Sequence, residues 1–277
     1  MAKIHILETG TASLRAAQLV AEGEGLKRMI NGLFGKGWSA PLPIYAYLIE
    51  HDDGLILVDT GETADVMKPG YFAGWHPYYR YSIRFDVPPA AEIGPQLKAA
   101  GFDPADVKTV VLTHLHTDHA GGLRYFPKAR ILCSATELKT ASGFAGRVAG
   151  YPNDRWPDWF RPDAIEQPAA SDDLLAGAIP VTKDGAVKIV ATPGHTLGHL
   201  SVAVDMGDKL ALLAGDASYT ADALMRRRPD GLGADPAGEI ETHKRILALA
   251  ARRPLVYLNG HDPGNPETLA SMKPLAP

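Results

Sequence analysis

Thr113-His114-Leu115-His116-Thr117-Asp118-His119-Ala120-Gly121-Gly122 sets three histidines and one aspartate within six residues, directly after an apolar run over 107–113. Side chains alternate along an extended chain, so His114 and His116 point to one side. A turn must follow, and Asp118 and His119 fit the start of a helix. The small Ala120-Gly121-Gly122 lets backbone approach closely. Imidazole nitrogens and carboxylate oxygens are the donors of zinc sites, whereas core packing offers no reason for so many of them at this spacing.

Working outward, three later segments share one positional logic. His195 follows the apolar run 187–191 in Thr192-Pro193-Gly194-His195, Asp216 follows 210–214 in Gly215-Asp216, and His261 follows 255–259 in Gly260-His261. Each lies beside a glycine just past the carboxyl end of a predicted strand, where layered α/β folds bind ligands. With His114, His116, Asp118 and His119 they make seven donors, enough for two divalent ions if one carboxylate bridges. Zinc suits this set best, while Fe, Mn and Co also accept nitrogen and oxygen ligands.

Further predicted strands lie at 44–49, 55–59, 109–113, 129–133 and 200–204, rich in Val, Ile and Leu. Helices are expected over 91–100 and from Asp235-Pro236 onward, where Asp caps and Pro takes the first position. In the second helix Ile240, His243, Leu247 and Ala250 form a stripe at helical spacing. The chain of 277 residues reads as one domain, 1–277. Residues 11–41 form a helical insert, and 62–90 and 140–178 form long loops of the kind that serve as lids.

The net charge of −4 gives no reason to expect nucleic acid. Cys133 is the only cysteine, which excludes an intrachain disulfide, and it reads as a small buried side chain. Arg226-Arg227-Arg228 reads as a solvated loop. The first residues are too short and polar for a signal peptide, and no apolar run reaches the ~20 residues of a membrane span. The expected location is cytoplasmic. His5, His51, His76 and His243 have no ligand-like context.

The order His-x-His-x-Asp-His, Thr-Pro-Gly-His, Gly-Asp, Gly-His resembles the metallo-β-lactamase superfamily over nearly the whole chain. The resemblance implies a four-layer αβ/βα sandwich with a dinuclear metal site at one edge. It also implies that His114, His116 and His195 hold one ion, that Asp118, His119 and His261 hold the other, and that Asp216 bridges. Asp59, in Leu57-Val58-Asp59-Thr60-Gly61, matches a position that orients a histidine ligand from behind. His199, in Gly194-His195-Thr196-Leu197-Gly198-His199, matches a supporting hydrogen-bonder.

Within that superfamily the chain resembles the N-acyl homoserine lactone lactonases. Pro43-Ile44-Tyr45-Ala46-Tyr47-Leu48-Ile49-Glu50, Gly260-His261-Asp262 and, above all, Gly215-Asp216-Ala217-Ser218-Tyr219 carry the likeness. It implies a hydrolase that opens a lactone ring in quorum quenching, with Tyr219 stabilising the oxyanion and Asp118 delivering a proton. Thr117, where those enzymes often have an aromatic residue, and the longer 11–41 insert depart from the group. Another ester, a thioester or an organophosphate is the alternative substrate, and a non-hydrolytic metal-binding or redox protein the alternative class. The partner is thus a small lactone or ester; a homodimer is left open. Residues 71–85 hold seven of the 21 aromatics. Some of these rings, Trp75 among them, are expected with Phe34 and Trp38 from the insert to wall an apolar channel for an acyl chain.

Overall fold

In the computed structural model, which describes residues 2–167 and 171–276, the strands form two sheets. The first has seven strands in the order β4-β1-β2-β3-β5-β6-β7. Their ranges are β1 Lys3–Leu14, β2 Leu42–His51, β3 Gly54–Val58, β4 Ile83–Asp86, β5 Val107–Val111, β6 Arg130–Ser134 and β7 Asp163–Ile165. The second has five in the order β12-β11-β10-β9-β8: β8 Ile179–Pro180, β9 Val187–Ala191, β10 Leu200–Asp205, β11 Leu210–Leu213 and β12 Leu255–Leu258.

The layering follows from alternation along the strands. In β2, Tyr47 and Ile49 face the second sheet and pack with Val58, Val111, Val202, Val204 and Leu213. Their neighbours Ala46 and Leu48 face the other way, onto Ile93 and Leu97 of the helix Ile93–Ala99 and onto Leu123 and Phe126. The second sheet repeats the device. Val190, Leu212 and Tyr257 pack outward against Ile246 and Leu249 of the helix Pro236–Arg252. Strands covered on both faces need apolar residues at every position, hence the near-continuous Val, Ile and Leu runs. The result is the αβ/βα sandwich.

Direction positions the site. β3, β5, β6 and β7 run parallel, as do β11 and β12, and β9 shares the sense of β11 because β10 is antiparallel to both. The carboxyl ends of β3, β5, β9, β11 and β12 therefore open onto one edge. The sheets are stitched there by Leu200 N–H to Thr113 O (2.9 Å) and Tyr45 N–H to Gly260 O (3.0 Å).

Several expectations shift. β1 continues to Leu14, so the first residues of the 11–41 stretch belong to the sheet; helices Ala16–Leu19 and Gly25–Phe34 follow. The stretch 62–90 contains β4, which pairs with the end of β1, and the stretch 140–178 contains the helix Gly143–Val148 and β7; residues 168–170 lie outside the described residues. Such pairings join distant segments and leave little local signal. The helix from Pro236 is capped by Asp235, which accepts from Gly238 N–H, but its buried face is Glu239, Thr242, His243, Ile246 and Leu249. Of the expected stripe, His243 is buried and Leu247 and Ala250 pack at the margin of the core; Glu239 and Thr242 join the face because this helix buries polar groups behind the site. Cys133 is fully buried and Arg226 to Arg228 are exposed. Among the described residues no helix is long and apolar enough to cross a membrane.

Candidate metal centre

After β5 the chain turns at His116, and the single helical turn Thr117–Ala120 presents Asp118 and His119. The loop after β3 holds that turn: Thr60 donates to His119 O through its N–H (2.8 Å) and its hydroxyl (3.0 Å). Glycine is required beside the later ligands. Gly215 has φ +50°, and a Cβ there would strike Thr113 and His199; a Cβ on Gly260 would strike Asp216 and His119.

All seven predicted donors meet. His114, His116 and His195 form one group, Asp118, His119 and His261 a second, and Asp216 joins His114 and His119 in a third. His116 Nδ1 lies 3.0 Å from both His114 Nε2 and His195 Nε2. Asp216 Oδ1 lies 3.3 Å from the Nε2 atoms of His119 and His261, while its Oδ2 faces His195 Nε2 at 3.6 Å. His261 Nε2 is 3.6 Å from Asp118 Oδ2. Ligands about 2.0–2.1 Å from a tetrahedral ion stand roughly 3.3 Å apart, so these spacings suit a cation within each group.

The remaining ring nitrogens fix which atoms face inward. His119 Nδ1 meets Asp59 Oδ2 at 2.8 Å, His195 Nδ1 meets Asp230 Oδ2 at 2.6 Å, and His261 Nδ1 meets Pro43 O at 2.8 Å. The Thr113 hydroxyl donates to Asp59 Oδ2 (2.8 Å), which leaves it to accept from His114 Nδ1 at 3.1 Å. With Nδ1 engaged by Asp59, His119 Nε2 faces Asp216 Oδ1. Both atoms are buried without a hydrogen-bond partner among the described residues. A buried ring nitrogen and a buried carboxylate oxygen facing each other at 3.3 Å call for a positive charge between them, a proton or a metal ion. The fit to metal is therefore good.

Electrostatics agree. Burial and the neighbouring histidines hold His114 and His116 well below the ordinary imidazole range, which keeps them neutral donors. Burial pushes His119 the same way but Asp216, Asp59 and Asp118 overcome it and carry it well above. His195 rises to about 9, against its burial, through Asp230. The carboxylates that raise His119 and His195 also make the pocket one that attracts a divalent ion.

Asp59 sits at φ +61°, a backbone region that aspartate tolerates better than most residues. It accepts from Thr113 N–H and hydroxyl as well as from His119. His199 accepts from Asp216 N–H through Nε2 (3.0 Å), and its Nδ1 lies 2.9 Å from the Thr192 hydroxyl. Burial and His195 hold it down to about 3, so it stays neutral. The other histidines lie outside the cluster: His5 on Glu50, His51 on Asp184, His76 on Val148 O and His243 on Ala217 O.

A cavity of about 300 Å³ opens above the cluster, with His116, Asp118, His195 and Tyr219 at its floor and Met29, Leu33, Tyr78, Tyr79, Val148 and Leu232 among its walls. A wider hollow of about 600 Å³ beyond Thr117 has none of the seven donors in its lining. Burial, then Asp216 and Asp230, raise the Tyr219 phenol well above its ordinary value, so it keeps its proton. Of the aromatics expected to wall the channel, Tyr78 and Tyr79 of 71–85 line the cavity, while Trp38, Phe34 and Trp75 stand elsewhere. Trp38 lies between the guanidiniums of Arg15 and Arg84, 4.2 and 3.9 Å from its ring centre. Phe34 is exposed and leans on Tyr81; Trp75 is exposed beside His76 and Phe144. Met29 and Leu33, four apart on one helix face, take the place assigned to Phe34. Asp230, Met29 and Leu33 carry no signal of these roles in the sequence: a lone aspartate after Pro229 has no spacing pattern, and helical spacing marks an apolar face without saying what that face meets.

The metallo-beta-lactamase superfamily pattern matches residues 40–261. The N-acyl homoserine lactonase AttM of Agrobacterium fabrum is 31% identical over 242 residues, covering 83% of this chain and 85% of that protein. The N-acyl homoserine lactonase of Bacillus thuringiensis is 28% identical, covering 84% and 86%. A solved N-acyl homoserine lactone hydrolase with N-hexanoyl-L-homoserine at its catalytic metal centre superposes with a TM-score of 0.76 at 25% identity, covering 96% of this chain and 95% of its own. Two facing sheets, seven donors gathered at their common edge and a match spanning most of the chain lead to one assignment: this protein belongs to the metallo-beta-lactamase superfamily.

Proposed function

We propose that this protein is a metal-dependent hydrolase that opens the lactone ring of N-acyl homoserine lactones, with two zinc ions held by His114, His116, His195, Asp118, His119 and His261 and bridged by Asp216. The observation that carries the reading is the meeting of all seven donors beneath a cavity whose floor is polar and whose wall is apolar. It is supported by relatives that bear this activity in their names. When bound, such ions polarise a carbonyl and make water a nucleophile near neutral pH.

The chain's own residues supply the rest. The Tyr219 hydroxyl, protonated and at the cavity floor, donates to the carbonyl oxygen as negative charge gathers there. Asp118 reaches into the same cavity. It takes the proton that water sheds on adding to the carbonyl carbon and passes it to the ring oxygen as the carbon–oxygen bond breaks. The product is the open N-acyl homoserine. Met29, Leu33 and Val148 flank the mouth, where an acyl chain would lie. The test is a panel of N-hexanoyl homoserine lactone, a simple ester, a thioester and an organophosphate, run with zinc-loaded and chelator-stripped protein. Metal-dependent opening of the lactone with the highest kcat/KM of the panel is expected. A higher kcat/KM on any other member reassigns the substrate.

A further inference from the structure

Each half of the centre has a carboxylate behind it, but the two are built differently. Asp59 stands behind His119 and is held within the first sheet by Thr113 of the strand end. Asp230 stands behind His195, is buried, and belongs to a loop. Its Oδ1 accepts from Leu232 N–H (2.8 Å) and Gly233 N–H, and its own N–H donates to the buried Glu239 Oε1 at 3.1 Å.

That loop is tied to the helical insert. Ala21 N–H donates to Pro229 O and Gly231 N–H donates to Gln18 O, both at 2.8 Å. Arg28 Nη1 donates to Gly233 O at 3.1 Å and to Asp230 O at 3.4 Å. Gly231 presses on the backbone of Ala17 so closely that a Cβ there would collide with it. The insert is thus bonded to both sides of Asp230 by backbone and side chain.

We propose that Asp230 is a positioning residue for His195 and that the insert is its brace, so that affinity of the His195 half for its ion is set from a surface helix. This rests on the two-ion reading above. A carboxylate on the outer nitrogen of a metal-binding imidazole fixes its orientation and raises its basicity, and losing such a partner typically costs about 10–100-fold in metal affinity. Asp230→Asn removes the charge and keeps the shape. Arg28→Gln loosens the brace without touching the cavity floor or the imidazole.

The experiment is competition of the zinc-loaded full-length protein with a chelator, reading zinc release per chain, alongside thermal unfolding of the stripped forms. Asp230→Asn should release one of two ions about 10–100-fold more readily than wild type while the other is held as before. Arg28→Gln should weaken the same ion by a few-fold, with the stripped protein melting as wild type does. If Asp230→Asn is unfolded when stripped, the Arg28→Gln result decides. Unchanged release of both ions in the folded variants overturns the proposal. A wild type that never binds two ions fails the earlier reading instead, before either variant is compared.

Discussion

The rim of the centre and its mouth were built by different rules. The rim residues follow buried strand ends, and the outer nitrogens of His119, His195 and His261 are each fixed from behind by a hydrogen bond, to Asp59, Asp230 and Pro43 O. The mouth is made by short helices that lean on the sandwich. In Gly25–Phe34 only Gly32 is buried, and Leu26, Met29, Ile30 and Phe34 are all exposed. A rim built this way has one arrangement available to it, whereas the mouth can change its side chains without disturbing the core. Chemistry is expected to reside in the first and substrate preference in the second.

Changing one residue of each region sharpens that division. Tyr219→Phe should lower kcat by about 10²-fold or more, the cost of losing one oxyanion donor. The loss should be equal for short and long acyl lactones, with both ions retained. Unaltered kcat would make Tyr219 a packing residue beside His261 and His195.

A smaller effect is expected at the mouth. Each methylene buried against Leu33 contributes up to about 0.8 kcal/mol, close to fourfold in kcat/KM. Leu33→Ala should therefore flatten the rise of kcat/KM along a series of lengthening acyl chains and leave the shortest lactone nearly unaffected. Trp75→Ala, outside the cavity lining, should leave the profile as it is. A profile indifferent to Leu33 but altered by Trp75 would restore the wall expected from sequence.

The same division decides what was legible in the amino-acid sequence. His195, Asp216 and His261 could be read because a Val- and Leu-rich run announces each one and a glycine marks the turn. Asp59 is legible only through resemblance, since its contact with His119 spans 60 residues. Asp230 has no sequence signal because its bond to His195 joins two loops and no period connects them. In the insert, apolar residues at helical spacing mark a face but not what that face meets, so Phe34 was chosen where Leu33 and Met29 line the cavity. β4 was read as loop because its pairing with β1 is made across the chain.

Seven side chains holding two ions is the claim on which the other inferences depend. Elemental analysis of fully active, exhaustively dialysed protein tests it most directly. Two metal ions per chain are predicted, with lactone turnover falling in step as they are removed. Full activity with one ion per chain, or with none, would contradict it.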